Sequence, residues 1–434
     1  MLLSLIGLAS ALTLEDAWKA VGADAQEAVI LDEQRIQAGT IRTQAWATLS
    51  PKLSLNGNWT RNQREVALNM GGAFPPELLA MIETFTGEPL DLGDPTVIQK
   101  LSFFDANVSV VQPVFSARAL PALQGALALD RAAEAQRDVG MGQLRLGVAR
   151  AYWGVIVSRE GAALANDGLA LAKKHAETVG ALVASGTATR QAELQAAMAV
   201  ARAERELAGA EARRTQAETA FAALVEVDPA VVLETPEARS VDYADVDAAL
   251  DAARSRRPEL RAVRAQEDAA RATALAAHLA WVPSVDARFT QAWTENTGFS
   301  GETSTWFFVL NASWTAWDGG FRIAEQERAA SQRRMASAAV EKAAQDAEVE
   351  VRAAWEDHMR ARRAFAAAER ELALAEENLR LAEVSHAAGA STFLDLEDAR
   401  MARDAARLSV VAERMGADLA VLTLRRAVSG TVGT

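Results

Sequence analysis

Proline is absent between Pro121 and Pro229 and again after Pro283, and this limits what the chain can fold into more than any other feature. Proline ends helix interiors because it lacks an N–H and clashes with the preceding turn. Both proline-free stretches are rich in Ala, Glu, Arg, Gln and Leu, residues that lose little on entering a helix, so each predicts very long helix. Each is interrupted once by small residues where the pattern restarts, at Ala184-Ser185-Gly186-Thr187 and at Ala387-Ala388-Gly389-Ala390-Ser391. These predict the tips of two helical hairpins. Ala117 to Ser185 is 69 residues and Phe321 to Ala388 is 68, so each outgoing arm, at 1.5 Å per residue, is about 100 Å long. No ordinary globular domain is that wide. Val148, Tyr152 and Val155 fit one helical face, as do Phe365, Leu372 and Leu379, and Leu394, Met401, Leu408, Met415 and Leu422 keep the seven-residue spacing of a coiled-coil seam.

Ahead of each hairpin lie two alternating segments that predict strands. Leu53, Leu55, Gly57 and Trp59 share one face while Ser54, Asn56, Asn58 and Thr60 share the other, and Val285, Ala287, Phe289 and Trp293 oppose Ser284, Asp286, Arg288 and Thr290 in the same way. Their partners are more apolar, giving four strands at about 52–64, 103–115, 284–294 and 305–317. About ten residues is the length of a tilted transmembrane strand. Four strands cannot close a barrel, and an open edge in lipid leaves backbone groups unsatisfied. Several copies must therefore share one barrel, and evenness admits either two or three. Six of the ten Trp residues, Trp59, Trp281, Trp293, Trp306, Trp314 and Trp317, lie on or beside the strands, where an aromatic girdle sits. The competing reading is the aromatic core of a soluble sandwich.

The two halves share one plan. Leu14 to Pro51 and Val246 to Pro283 both span 37 positions, an offset of 232, whereas Phe115 matches Trp317 at 202 and Gly186 matches Gly389 at 203. The first half thus carries about thirty extra residues, placed in the Gly/Pro-rich loop around Met70 to Pro95. The chain reads as a tandem duplication of helix, strand, strand and helical hairpin. Its repeats are 12–228 and 246–430, joined by a linker at 229–245, with hairpins at about 117–228 and 320–428. Leu2 to Leu12 is a short apolar run, and Ala9-Ser10-Ala11 has the small-x-small form of a signal-peptidase site, so residues 1–11 are expected to be a signal peptide. The alternative is the start of a buried strand or helix.

Composition removes several classes of function. With 45 Lys+Arg against 58 Asp+Glu the net charge is −13, the wrong sign for neutralising phosphates, and no nucleic-acid partner is expected. The absence of Cys removes disulfides, thiolate metal sites and thiol nucleophiles. His175, His278, His358 and His386 are scattered, and no phosphate-binding glycine loop follows a strand. No catalytic site, cofactor or metal is expected. Gly319-Gly320 reads as a hinge between strand and helix. Gly140, Gly147, Gly154, Gly161 and Gly168 recur at heptad spacing, while the matching second-half positions are Ala343, Glu350, Asp357, Ala364 and Glu371. Glycine costs a helix roughly 1 kcal/mol relative to alanine, so the stripe predicts close approach of another backbone.

The duplicated plan, the junctions Gln112-Pro113-Val114-Phe115 and Trp314-Thr315-Ala316-Trp317-Asp318-Gly319-Gly320, and tips with Gly followed six residues later by Asp resemble the TolC family of outer-membrane efflux and secretion channels. The resemblance runs from Leu12 to about Gly430. It implies a mainly α fold with a β-barrel part: a homotrimer with a twelve-stranded barrel in the outer-membrane lipid of a Gram-negative bacterium, continuous with a periplasmic α-helical barrel. It also implies a periplasmic adaptor and an inner-membrane transporter as partners. Gly186, Thr187, Gly389, Ala390 and Ser391 would dock the adaptor, and Asp395 and Asp398 would line the periplasmic constriction. The first tip departs from the pattern with Ala192 where the second has Asp395. Where several relatives hold the constriction with an aromatic and an arginine, this chain has His386 and Ser391. Drug, metal and protein substrates are not separable from sequence, and a soluble periplasmic coiled-coil scaffold or adaptor is the alternative.

Overall fold

The computed structural model describes residues 11–69, 74–88 and 95–432; the expected signal peptide, except Ala11, lies outside them. In chain order the elements are α1 (Leu14–Asp24), α2 (Gln26–Ala47), β1 (Lys52–Arg61), β2 (Val66–Leu68), α3 (Pro76–Thr86), β3 (Thr96–Gln99), β4 (Ser102–Phe115), α4 (Ala119–Ala184), α5 (Arg190–Val225), α6 (Val246–Arg256), α7 (Pro258–His278), β5 (Ser284–Thr294), β6 (Ser304–Ser313), α8 (Phe321–Ala387) and α9 (Phe393–Ser429). Two compact units result. One holds Met1–Gly39, Leu129–Glu267 and Met335–Thr434; the other holds Thr40–Ala128 and Asp268–Arg334.

Local chemistry sets the helix limits. Thr13, Thr189 and Asp245 sit at N-caps, where their side chains accept the N–H of Asp16, Ala192 and Ala248, satisfying donors a helix leaves unpaired. The break between α6 and α7 falls at Arg257, whose extended backbone is what a following proline demands.

In the first unit the apolar faces of four helices meet. Leu14 and Val21 of α1, Tyr152 and Val155 of α4, Phe221 and Val225 of α5 and Leu422 of α9 form one core. A second joins Ala249, Leu250 and Ala253 of α6, Val351 and Ala354 of α8, and Leu424, Ala427 and Val428 of α9. Each such Leu or Val contributes roughly 1.5 to 3 kcal/mol when fully buried. The linker runs beside the first core. Leu12 donates its N–H to Val232 O at 2.8 Å, and Glu234 donates back to Leu12 O at 3.1 Å. The buried Tyr152 hydroxyl donates to Leu12 O at 2.7 Å and also reaches Glu234 O, and burial pushes its pKa upward.

The second unit holds a four-stranded antiparallel sheet in the order β1-β4-β5-β6. The two halves of the chain therefore join through the β4–β5 pair, leaving β1 and β6 as edges.

Three expectations change. The inserted segment is not all loop: β2 and β3 pair, and α3 lies between them, started by Pro76 and stopped by Gly87 at φ 79°. The last strand ends at Ser313, short of the expected 317, because Asp318 accepts the N–H groups of Gly320 and Arg322 and both Gly319 and Gly320 take positive φ. The heptad seam of α9 holds only at one end. Leu422 is fully buried, but Leu394 is 63% exposed, and near the tip Leu396 and Ala399 pack instead, on Leu379 of α8. A strict seven-residue spacing drifts by about 20° per heptad on a straight helix, so over four heptads the stripe rotates off the buried face.

Candidate functional site

The sheet separates its chemistry by face. Register places Leu53, Val110, Phe289 and Phe308 side by side, then Leu55, Val108, Gln291 and Trp306, with Trp59 opposite Phe104. This face is mainly apolar on all four strands, apart from Gln291, which donates to the Ser304 hydroxyl at 2.7 Å, and it is uncovered: Leu55 is 72% exposed and Trp306 68%. The opposite face carries Ser54 beside Ser109 and Thr290, Asn56 beside Asn107, and Asn58 beside Asp105 and Thr294. Its side chains bond across strands, Ser54 to Ser109 hydroxyl at 2.7 Å, Asn56 Nδ2 donating to Asn107 Oδ1 at 3.1 Å, and Asn311 Nδ2 donating to Asp286 Oδ1 at 3.3 Å. Phe307 and Val309 also lie on this polar face. Water-soluble sheets bury their apolar face and hydrate the other. Here the apolar face lies open, as lipid-facing strands require.

The Trp residues follow the same logic. Trp59, Trp293, Trp306, Trp314 and Trp317 are exposed. Trp281 is half-buried, with the Arg322 guanidinium 4.0 Å from its ring centroid and its carbonyl accepting Trp314 Nε1 at 3.0 Å. Arg322 also donates to Asp318 at 2.7 Å and to the carbonyls of Ala280 and Thr315. This cluster fixes the strand-to-helix junction of the second half. In the first half Gln112 does so, its Nε2 donating to Leu49 O at 2.9 Å.

Both tips are tight reversals. Gly186 and Gly389 adopt φ 77° and 73°, a region open to glycine without steric cost. Thr187 Oγ1 donates to Leu182 O at 2.9 Å, and Ala390 N donates to Ser385 O at 2.9 Å. At the second tip Thr392 and Asp395 form a reciprocal capping box. The bonds from Thr392 hold the Asp395 carboxyl below its ordinary pKa of 3.8. That stabilisation is complete above this pH and is lost as pH falls through the lowered value. Only Asp395 lies in the first turn of α9; Asp398 is exposed one turn further on.

Among the described residues no backbone approaches the glycine stripe inside the chain; at Gly140 an added Cβ would run into the Leu31 side chain. At Gly147, Gly154 and Gly168 an added Cβ meets nothing within 4 Å, and at Gly161 only Leu408 at 4.0 Å. The tight glycines lie elsewhere. A Cβ on Gly142 would overlap the Gly430 carbonyl oxygen, and one on Gly430 would overlap the Pro258 ring.

Groups far apart in sequence also come together. Asp418 accepts Trp153 Nε1 at 2.7 Å and Arg239 Nη1 at 2.7 and 2.8 Å, with Arg239 Nη2 on Glu15 at 2.7 Å. Burial raises Glu218, but the guanidiniums of Arg159 at 2.7 Å and Arg214 at 3.1 Å outweigh it and lower its pKa. The histidines that look scattered in sequence are not all so: His175 of α4 and His386 of α8 both lie against Phe393. No metal-binding cluster of three or more His, Cys, Asp or Glu occurs among the described residues, and no described helix is long and apolar enough to cross a membrane.

The chain thus combines an open sheet with an uncovered apolar face and two long helical hairpins. Residues 249–430 match the family described as outer membrane efflux protein. No curated protein matches the chain in sequence. Among solved structures, the outer membrane protein VceC of Vibrio cholerae is 17% identical, with 97% of each chain covered and a TM-score of 0.73. The outer membrane channel CmeC of Campylobacter jejuni is 12% identical over 96% of this chain and 85% of its own, with a TM-score of 0.77. The open state of the outer membrane channel MtrE of Neisseria gonorrhoeae is 20% identical over 97% and 91%, with a TM-score of 0.71. The resemblance to the TolC family read from the sequence holds for the fold of nearly the whole chain and for the sequence of its second half.

Proposed function

We propose that this chain is one subunit of an outer-membrane exit duct, a passive conduit of a tripartite efflux pump or type I secretion system. The observation that carries the reading is the sheet, apolar and uncovered on one face, hydrogen-bonded and polar on the other, with both edges open. Three copies would close a twelve-stranded barrel, β6 of one pairing with β1 of the next, with the apolar face to lipid and the polar face to the lumen. A soluble scaffold would have to cover Leu55, Trp306, Phe308 and Leu310, all exposed here. The repeats 12–228 and 246–430 would contribute one hairpin each, so that three chains build a twelve-helix periplasmic barrel.

In this reading Gly186, Thr187, Gly389, Ala390 and Ser391 meet a periplasmic adaptor coupled to an inner-membrane transporter. Gly389→Trp should abolish export in cells while leaving oligomer mass and bilayer conductance near wild type, because the strained φ is local to the turn. Loss of the oligomer would make the glycine structural and leave adaptor docking unsupported.

Asp395 and Asp398 would form rings of carboxylates at the constriction, giving cation-selective conductance blocked by multivalent cations from the periplasmic side. The capping box allows the two roles of Asp395 to be separated. Thr392→Ala removes a cap worth about 1 kcal/mol and should loosen the start of α9 but keep the block. Asp395→Ala with Asp398→Ala should remove the block, as measured by single-channel recording. An unchanged block in the double variant would assign these residues to the helix terminus alone.

A further inference from the structure

We propose that His175, Phe393 and His386 form a pH-sensitive latch that holds the tip of the second hairpin against α4 at neutral pH and releases it on acidification. The His175 ring lies flat on Phe393, centroids 3.1 Å apart and planes within 1°. His386 meets the same phenyl ring edge-on at 6.2 Å and 66°. Three elements thus converge on one side chain: α4, the end of α8 and the first residue of α9. The tip's apolar core, Leu379, Leu396 and Ala399 with Ala382, joins α8 to α9 only. The His175 stack ties that pair to α4, and further from the tip the Arg407–Glu160 ion pair at 2.6 Å continues the α4–α9 contact.

No carboxylate is among the groups that shift His175. The charged residues close in sequence to the three rings are Lys173, Lys174 and Glu177 on α4, Glu383 on α8, and Asp395, Glu397 and Arg400 on α9. Glu383 is taken by Arg400 at 3.1 Å and Asp395 by the capping box. Burial, and then the field of His386, hold the His175 imidazole below its ordinary value of 6.5. His386 Nδ1 lies 3.2 Å from Ser391 O, a contact in which the ring nitrogen donates and which ties His386 to the turn. The cost of a proton on the half-buried His175 ring is therefore relieved by its withdrawal from Phe393. Because the native pKa of His175 is lowered, the stabilisation is complete above pH 6.5 and is lost as pH falls from there through the lowered value.

That release of the latch opens a duct rests on the function proposed above; the latch itself does not. The test is hydrogen exchange of the full chain in detergent at about pH 7.5 and about pH 5.5, corrected for intrinsic rates, comparing amides around 386–400 with those of 420–428 as an internal control of folding. Wild type should lose protection at the tip by about tenfold on acidification while the control region holds. His175→Gln with His386→Gln should remove that step, and Phe393→Leu should show the unprotected tip already at the higher pH. Equal loss in wild type and the double histidine variant, or no loss in wild type, would overturn the latch. Bilayer conductance of the same samples reads the other claim separately: a tip that loosens without any conductance change keeps the latch and counts against gating of a duct.

Discussion

Asp418→Ala is expected to destabilise the helical unit by about 3 to 5 kcal/mol, the usual cost of removing one partner from a buried charge pair. The Asp418 side chain is only 4% exposed and Arg239 13%. Deleting the carboxylate leaves the Arg239 guanidinium and the Trp153 N–H without the acceptor they share. Glu15 still holds one nitrogen of Arg239, and Trp18 lies 5.5 Å from its guanidinium carbon, which favours the lower end of the range. Thermal unfolding followed by helical circular dichroism should show the loss. Arg239→Met with Asp418→Leu should recover most of it, since an apolar pair leaves no charge unpaired. An unchanged melting temperature in Asp418→Ala would mean that the pair is solvated in the assembled protein.

Alanine at two glycines of the same helix should act with opposite signs. Gly142→Ala puts a methyl group into the Gly430 carbonyl, where α4 passes the end of α9, and Gly430 cannot retreat because it rests on Pro258 and caps α9 at φ 71°. Overpacking of this kind costs roughly 1 to 3 kcal/mol, and backbone against backbone belongs at the upper end. Gly147→Ala meets open space and should gain about 0.5 to 1 kcal/mol from helix propensity. Chemical denaturation of both variants in one detergent checks the pair. Equal destabilisation by both would show that the stripe meets something outside the chain.

These contrasts mark what the sequence could reveal. The hairpins and strands are periodic and local, so the absence of proline, the small-residue breaks and the alternation at Leu53 to Thr60 were enough to find them. Helix α3 was also signalled locally, by Pro76 at its first turn and Gly87 just beyond its end, but the glycine and proline content of the insertion read as loop. Other features had no local signal. Arg239 sits in an irregular linker, 179 positions from Asp418, and His175 meets Phe393 only after two hairpins have formed. Within one chain the seam on α9 is buried only toward Leu422, because seven-residue spacing marks a continuous contact only where helices supercoil around each other. The polarity of the sheet was legible strand by strand, but not the β4–β5 pairing that makes it continuous.

The central claim is that copies of this chain close a barrel in lipid, and mass and conductance measured on one detergent-purified sample test it most directly. The account predicts three chains per particle by native mass spectrometry and cation-selective channels when the same particle enters a planar bilayer. A monomer of intact helical content that leaves the bilayer silent would contradict it.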